Sequence, residues 1–157
     1  MNPLNSAVEV AMRALVLLTQ SHPEPLDLSS LVVLDHAMLH SEQFNGPPSL
    51  HPPLPAQPGE LGMRRQLLHD GLAVLMRAEL ASVDATAQGL VYRATDRGSS
   101  FLGILEAPYV GQLQERALWA VEQYAPHTDP RLATRGFTMQ WYEEFTVSMR
   151  DLGGSDA

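Results

Sequence analysis

The stretch from Glu60 to Ala94 constrains the fold of this chain more than any other. Its first part, to Ala78, has apolar residues at helical spacing, and its second part, from Leu80, reads as a short β-hairpin. Helical patterns lie before and after this unit, which gives the order of elements of a winged helix. The sequence therefore predicts an α+β, mostly helical protein with a winged-helix-like core, a short β-hairpin wing and additional C-terminal helices.

Winged helices either read DNA or serve as adaptors between proteins, and the net charge bears on that choice. Eighteen carboxylates face ten basic side chains, all of them arginine, so the formal net charge is −8. Such a charge opposes non-specific attraction to nucleic acid, because that attraction comes from cations that displace counterions from phosphates. A DNA contact would therefore depend on a local basic patch.

Composition also bears on the location of the protein. The longest apolar run, Ala14 to Leu18, is far shorter than the roughly 20 residues that span a bilayer. We expect neither a membrane segment nor a secretory signal. The chain has no cysteine, which excludes disulfides and thiolate metal sites and makes the cytoplasm the expected location.

Two helices are predicted before the proline-rich region. The first runs from about Ser6 to Thr19, with Asn5 or Ser6 as its cap, and His22-Pro-Glu-Pro25 ends it. The second begins near Asp27 or Ser29 and ends near His40. The residues expected on the buried face of the first helix are Val8, Met12, Leu15 and Leu18.

Six of the twelve prolines lie between residues 45 and 59. Proline fixes φ and lacks an N–H donor, so this segment is neither a helix nor a central strand. One interpretation is a flexible linker. The interpretation that we favour is a loop held against the core by Leu50 and Leu54, because linkers are rich in Gly and Ser and lack spaced leucines.

The third helix is predicted from Gly59 or Glu60 to Ala78, and its expected buried face is Leu68, Leu72, Leu75 and Met76. The hairpin is expected to turn between Ala85 and Gly89. Ser99 or Ser100 is the expected cap of the next helix, and Pro108 separates that helix from a longer one ending at Tyr124. The predicted organisation is a winged-helix-like domain over residues 1–125, a helical extension over 126–152 and a disordered tail over 153–157.

Histidines form the best candidate for a metal site. His36 and His40 lie four residues apart on a predicted helix, a spacing that lets two imidazoles bind one metal ion, and His51 follows in the proline-rich loop. The residues between the two helical histidines do not include the glutamate of a zinc-hydrolase helix. We therefore expect these histidines to anchor the structure, and we expect no metal or other cofactor.

No motif for a catalytic nucleophile or a phosphate-binding glycine loop is present, so we expect a protein without enzymatic activity. The candidate contact surface, for a partner protein or for DNA, consists of Arg64, Arg65, Arg77, Tyr92 and Arg93. Acidic residues lie between these arginines and dilute any basic patch. Trp141 and Tyr142, on the predicted last helix, are the candidates for a protein interface, because aromatic side chains dominate interface hot spots.

Several segments resemble a known family. The opening residues 2–10 and the loop Gly46-Pro-Pro-Ser-Leu-His-Pro52 are the most specific. The other matching segments are Arg13–Leu15, Leu26–Leu28, Asp35–Ser41, Glu60-Leu61, Arg64-Arg65 and Gly71-Leu72. Over roughly residues 2–125 the chain is similar to one type of middle component of the bacterial ABC-three-component systems.

The resemblance implies a small winged-helix-like subunit encoded between an SMC-like ABC ATPase and a variable effector. Such systems are thought to act in defence against phages and other invading DNA, and Lamassu-type systems are related. The resemblance thus predicts a cytoplasmic adaptor that bridges the ATPase and the effector, with a DNA contact within the complex or a homodimer left open. The alternatives are a free-standing dimeric winged-helix regulator that binds operator DNA and, more distantly, a metal-dependent hydrolase.

Overall fold

The computed structural model of the protein describes residues 6–51 and 60–124. In these residues the fold is α+β and mostly helical, with five α-helices and one antiparallel hairpin of two strands. In chain order the elements are α1 (Ala7–Ser21), α2 (Leu28–Leu39), a 3₁₀ turn (Ser41–Phe44), α3 (Glu60–Arg77), β1 (Ala81–Thr86), β2 (Gly89–Ala94), α4 (Asp96–Gly103) and α5 (Pro108–Tyr124).

Side-chain caps start the first two helices where the sequence predicted them. The side chain of Ser6 accepts a hydrogen bond from the Glu9 backbone N–H at 3.2 Å, which begins α1. Asp27 accepts one from Ser30 N–H at 2.7 Å, which begins α2. Both contacts satisfy N–H groups that have no partner within the helix. The prediction of capped starts at Ser6 and Asp27 is confirmed.

The predicted cap of α4 is wrong. Thr95 is the cap, because its side-chain oxygen accepts a hydrogen bond from Gly98 N–H at 3.0 Å. Thr95 directly follows β2 with an extended backbone, as a capping residue requires, whereas Ser99 and Ser100 lie inside the helix. The break at Pro108 is confirmed, since α5 begins at this residue.

The helix α1 lies at the centre of the fold. Apart from Met12, every residue from Val10 to Leu18 is buried, and the helix contacts α2, α3, α4, α5 and β2. The predicted buried face is therefore too narrow, because neighbours surround α1 on nearly all sides. Val8 was also predicted to be buried, but it lies in the first turn of α1, beyond the core, and is exposed.

A tight turn links α3 to the hairpin. Leu80 N–H donates to Leu75 O and Glu79 N–H donates to Met76 O, with Glu79 in the left-handed region at φ 62°. This pair of bonds is the Schellman arrangement that closes many helices, usually around a glycine. It turns the chain sharply, so that β1 starts against the end of the helix that precedes it.

The hairpin is paired on one side by the segment between α1 and α2. The strands are joined by a two-residue turn between Thr86 and Gly89, and Val83 lies opposite Tyr92. Leu26 N–H donates to Tyr92 O at 3.0 Å, and Tyr92 N–H donates to Leu26 O at 2.8 Å. The outer edge of β2 therefore carries a third, very short extended segment.

Some predictions lie outside the described residues. These are the contact of Leu54, the helical extension over 126–152, the tail over 153–157, and the interface residues Trp141 and Tyr142. In the described part of the chain, no helix has the length and apolar character that crossing a membrane requires.

Candidate functional site

A buried ion pair joins α1 to α2. Arg13 Nε donates to Asp35 Oδ1 at 2.8 Å and Arg13 Nη2 donates to Asp35 Oδ2 at 3.2 Å, and both side chains are almost fully buried. Burial disfavours the guanidinium cation, but the Asp35 carboxylate outweighs this effect and raises the pKa of Arg13 above its ordinary value. The forked pairing keeps each charge compensated inside the core.

Three histidines pack close to this pair. The rings of His36 and His40 have centroids 4.9 Å apart, and the ring of His51 lies 6.4 Å from that of His40. Within residues 6–51 and 60–124, no group of three His, Cys, Asp or Glu side chains could hold a metal ion. The ring packing fits the anchoring role expected from the sequence. We call the group formed by Arg13, Asp35, His36, His40, His51 and Tyr109 the polar cluster.

Burial disfavours the charged forms of His36 and His51 in the polar cluster. It lowers the pKa of His36 to about 2, and electrostatic interactions with Arg64 and His40 lower this pKa further. Burial also lowers the pKa of His51, with a smaller contribution from the Arg13 cation. At neutral pH these rings therefore act as hydrogen-bonding and packing groups.

His51 connects the polar cluster to α5. Its Nε2 lies 2.9 Å from the hydroxyl of Tyr109, and the two rings are nearly parallel. Burial raises the pKa of Tyr109 to about 12, and the carboxylate of Glu9 contributes to this rise. The phenol is thus protonated throughout the physiological range and fixes the end of the loop that carries His51.

Segment 45–51, which we call the anchored loop, is held to α2 and the 3₁₀ turn. Ser41 Oγ donates to Pro47 O at 2.7 Å, and Ser49 exchanges hydrogen bonds of 3.1 and 3.3 Å with Glu42. The N–H groups of Leu50 and His51 both lie 3.1 Å from Leu39 O. These bonds, and the packing of Leu50 on the core, confirm the loop held against the core for residues 45–51.

The anchored loop is also held to α5. Arg116 Nε donates to Pro48 O at 2.9 Å. Gly46 lies so close to Trp119 that a Cβ atom at this position would overlap the indole ring. A glycine is needed here because of this close approach of backbone to ring. The loop therefore ties α2 to α5, two helices that are far apart in sequence.

The predicted contact residues do not form one surface. Adjacent residues of a helix point about 100° apart, and Arg64 and Arg65 accordingly diverge. Arg64 is half-buried near His36, whose pKa it lowers, whereas Arg65 is exposed and donates to Ser29 Oγ at 2.8 Å. Arg65 is thus the member of the pair that a partner can reach directly.

The remaining predicted contact residues also differ in their exposure. Arg77 is exposed in the last turn of α3, and Arg93 is exposed on β2 with its Nε 3.9 Å from Asp84 Oδ2. Tyr92 differs from the expectation, since its side chain is 4% exposed and packs in the core. Strand alternation places Tyr92 on the core-facing side of the hairpin, and the sequence alone does not say which side that is.

One surface groove lies along α3, and another lies just past its C-terminal end. The first, about 320 Å³, runs between the N-terminal half of α3, the start of α2 and the hairpin, and we call it the arginine groove. The residues that line it are Asp27, Leu28, Ser29, Arg65, His69, Gln88, Leu90 and Tyr92. Arg65 lies in this groove beside apolar side chains, and Asp27 offsets part of its charge, so the groove suits a partner segment that places one carboxylate at Arg65 and an apolar side chain next to it.

The second groove is more apolar. It measures about 420 Å³, lies where α3 ends and α4 packs, and is called here the α4 groove. The residues that line it are Ala78, Leu80, Arg97, Ser100, Phe101 and Ile104. Ile104 is 74% exposed, which is unusual for a large apolar side chain next to a groove. Sequence reasoning did not select this surface.

Sequence reasoning also missed the Arg13–Asp35 pair, although a signal for it exists. Arg13 is the single basic residue of α1, and Asp35 is the single carboxylate of α2. Two isolated, opposite charges in otherwise apolar helices point to a buried pair, because an unpaired charge in such a helix is costly.

The model of the family described as ABC-three component (ABC-3C) system Middle Component 2 matches residues 3–144. The chain belongs to this family. The search of curated proteins and the search of solved structures found no match.

The family places this chain among the components of an ABC-3C system, as the resemblance predicted. The matching range includes the anchored loop, the polar cluster and both grooves. Membership of a system with several components implies that this chain has protein partners.

Proposed function

We propose that this chain is a non-enzymatic adaptor that bridges an SMC-like ABC ATPase and an effector in a bacterial system of defence against phages and plasmids. Its place in the Middle Component 2 family supports a role within an assembly. Its expected location is the cytoplasm, where such an ATPase and invading DNA meet.

The observation that carries this proposal is the presence of two separate grooves near opposite ends of α3, one along its N-terminal half and one just past its C-terminal end. Arg65 of the arginine groove and Arg77, next to the α4 groove, are twelve residues apart on α3, which corresponds to about 18 Å along the axis. A bridging subunit needs two surfaces that different partners can occupy together.

We further propose a winged-helix architecture for residues 1–125. The order α1, α2, α3, β1, β2 supports it, and so does the Leu26–Tyr92 bridge, since an extended segment between the first two helices pairs with the hairpin. In this assignment α3 and the hairpin are the third helix and the wing, and the arginine groove lies between them.

Co-expression of the tagged chain with its neighbouring genes tests the adaptor role. Affinity purification followed by sizing with light scattering should give one complex that contains the chain, the ATPase and the effector. Arg65→Glu should weaken retention of one partner, because it reverses the charge in the arginine groove. Arg77→Glu, the same change on the same helix but outside the arginine groove, should leave the retention of that partner unchanged.

The α4 groove is tested in the same way. Ile104→Asp places a carboxylate beside an apolar surface and should release the other partner. Leu118→Asp makes the same change at an exposed apolar residue of α5 outside the groove. If both groove variants assemble as the wild type does, these two surfaces do not bridge the complex.

The alternative is a regulator that binds operator DNA. The winged-helix order supports it, but Asp27 and Asp70 lie beside Arg65 and His69 and reduce the positive charge of this surface. A chain that retains neither partner, and binds its own upstream DNA with an affinity that falls steeply with salt, would establish this alternative.

A further inference from the structure

The outer edge of β1 has backbone groups that no described element pairs. Tyr92 uses its N–H and C=O across the outer edge of β2, where they bond to Leu26. Val83 lies opposite Tyr92, so it belongs to a pair whose backbone groups point away from the hairpin. Ala85, two residues on, points the same way. Among the described residues, no backbone hydrogen bond from outside the hairpin reaches Val83 or Ala85.

This edge lacks most of the features that keep strand edges from pairing. β1 reads Ala-Ser-Val-Asp-Ala-Thr, with no proline and no lysine, and its pairing with β2 has no bulge. Val83 is 41% exposed although it lies on the same side of the hairpin as the buried residues Ala81 and Tyr92. The apolar side of the hairpin thus extends past the core and ends uncovered at this edge.

Of the antiparallel registers between two β1 strands, the one centred on Val83 uses most of this edge. When Val83 lies opposite its own copy, the outward-pointing groups of Ala81, Val83 and Ala85 pair along the strand. Ser82 then lies opposite Asp84 of the other copy, where its hydroxyl can donate to the carboxylate. A register centred on Asp84 would place like charges against each other, which is unfavourable in a cross-strand pair.

We propose that β1 pairs with β1 of a second copy of this chain, so that the two hairpins form a four-stranded antiparallel sheet. A two-fold axis passes next to Val83, which makes the interface isologous. The pairing joins the exposed valines on the apolar side and the Ser82–Asp84 contacts on the polar side. The proposal does not depend on the adaptor role, because it requires no partner other than the chain itself.

Proline variants test the backbone pairing. Ala85→Pro removes an N–H that points to the outer edge of β1, and Leu90→Pro removes one at the opposite position that points to the outer edge of β2. Proline is accepted where the N–H faces out of a sheet, so both hairpins should remain formed. Light scattering over a concentration series should show a dimer for the wild type and for Leu90→Pro, and a monomer for Ala85→Pro.

Ser82→Asp tests the register without a change of backbone. Within one hairpin residue 82 lies opposite Arg93, so the new carboxylate gains an attractive neighbour and the monomer should keep its melting temperature. In the dimer the same carboxylate would face Asp84 of the other copy and should abolish dimerisation. The dimer of the wild type should also strengthen with added salt, since each copy carries a net charge of −8.

The outcomes are distinct. A wild type that is monomeric at every concentration and salt level overturns the proposal. So does a dimer that survives both Ala85→Pro and Ser82→Asp, because such a dimer uses another surface. If circular dichroism shows that Ala85→Pro unfolds the chain, the Ser82→Asp variant alone tests whether the dimer uses the edge of β1. Loss of the dimer in a folded Ser82→Asp variant, with the dimer kept in Leu90→Pro, supports the β1 interface.

Discussion

The guanidinium of Arg13 and the carboxylate of Asp35 face each other in the core, where they join the central helix α1 to α2 through two hydrogen bonds. Asp35→Asn leaves the cation buried without its counter-charge and should lower the free energy of unfolding by about 3–5 kcal/mol. This loss is a large part of the roughly 5–15 kcal/mol that stabilises a typical domain. Urea denaturation followed by circular dichroism measures it.

The matched control replaces both charges by apolar side chains of similar size. Arg13→Met combined with Asp35→Leu should cost much less than Asp35→Asn alone, because no uncompensated charge remains. A double variant as unstable as the single one would mean that the pair itself, rather than the avoidance of a lone charge, stabilises the core.

Gly46→Ala should release the anchored loop from α5. The new Cβ overlaps the ring of Trp119, so either the loop or the indole must move, at a cost of about 1–3 kcal/mol. Gly62→Ala, on α3 with open space around the new methyl group, should instead raise stability by up to about 1 kcal/mol. Thermal unfolding compares the two variants, and adding Trp119→Leu should recover part of the loss at Gly46.

Acid should destabilise the protein through His36. Its folded-state pKa of about 2 lies below the unfolded value of 6.5, so between these values the unfolded chain takes up a proton that the folded chain does not. The contribution of His36 to the free energy of unfolding is fully present above pH 6.5, and it decreases by about 1.4 kcal/mol for each pH unit below that value. His51, whose pKa is also lowered, adds to the slope.

Urea unfolding at several pH values between the two limits measures this slope. His36→Gln, which removes the titrating group, should flatten the pH dependence, while His69→Gln on the exposed side of α3 should leave it in place. An equal slope in wild type and His36→Gln would show that His36 does not couple folding to protons.

Glu79→Gly should stabilise the protein, although it removes an ion pair. A residue with a Cβ atom in the left-handed region costs roughly 1–2 kcal/mol, and the greater freedom of glycine in the unfolded chain offsets part of this. The 3.0 Å contact between Glu79 and Arg97 is exposed and contributes little. We expect a net gain of about 0.5–1 kcal/mol by thermal unfolding, and no gain for Glu79→Ala, which keeps the Cβ atom.

Local sequence signals predicted the elements of this fold well. Side-chain caps located the starts of α1 and α2, and the buried positions of Leu68, Leu72 and Leu75 on α3 are confirmed. These features depend on residues within a few positions of one another. The prediction of the α4 cap was wrong because Thr95, Ser99 and Ser100 are all good capping residues. Only the position at which β2 ends identifies Thr95 as the cap.

The site was harder to predict because it depends on contacts between distant segments. The burial of Tyr92 follows from the packing of β2 on α1 and α2, and the partial burial of Arg64 near His36 follows from the packing of α3 on α2. No pattern around Tyr92 states which side of the hairpin faces the core. The α4 groove likewise arises where Leu80 and Ile104, from different elements, come together.

The central position of α1 has a consequence for synthesis. Residues 7–21 leave the ribosome before the helices that cover them, which include α3 and α5, and α5 ends at residue 124. Translation at about 5–20 residues per second separates these events by several seconds. During that interval only the elements already made can cover α1, so the apolar surface that faces α5 stays exposed until α5 has been synthesised.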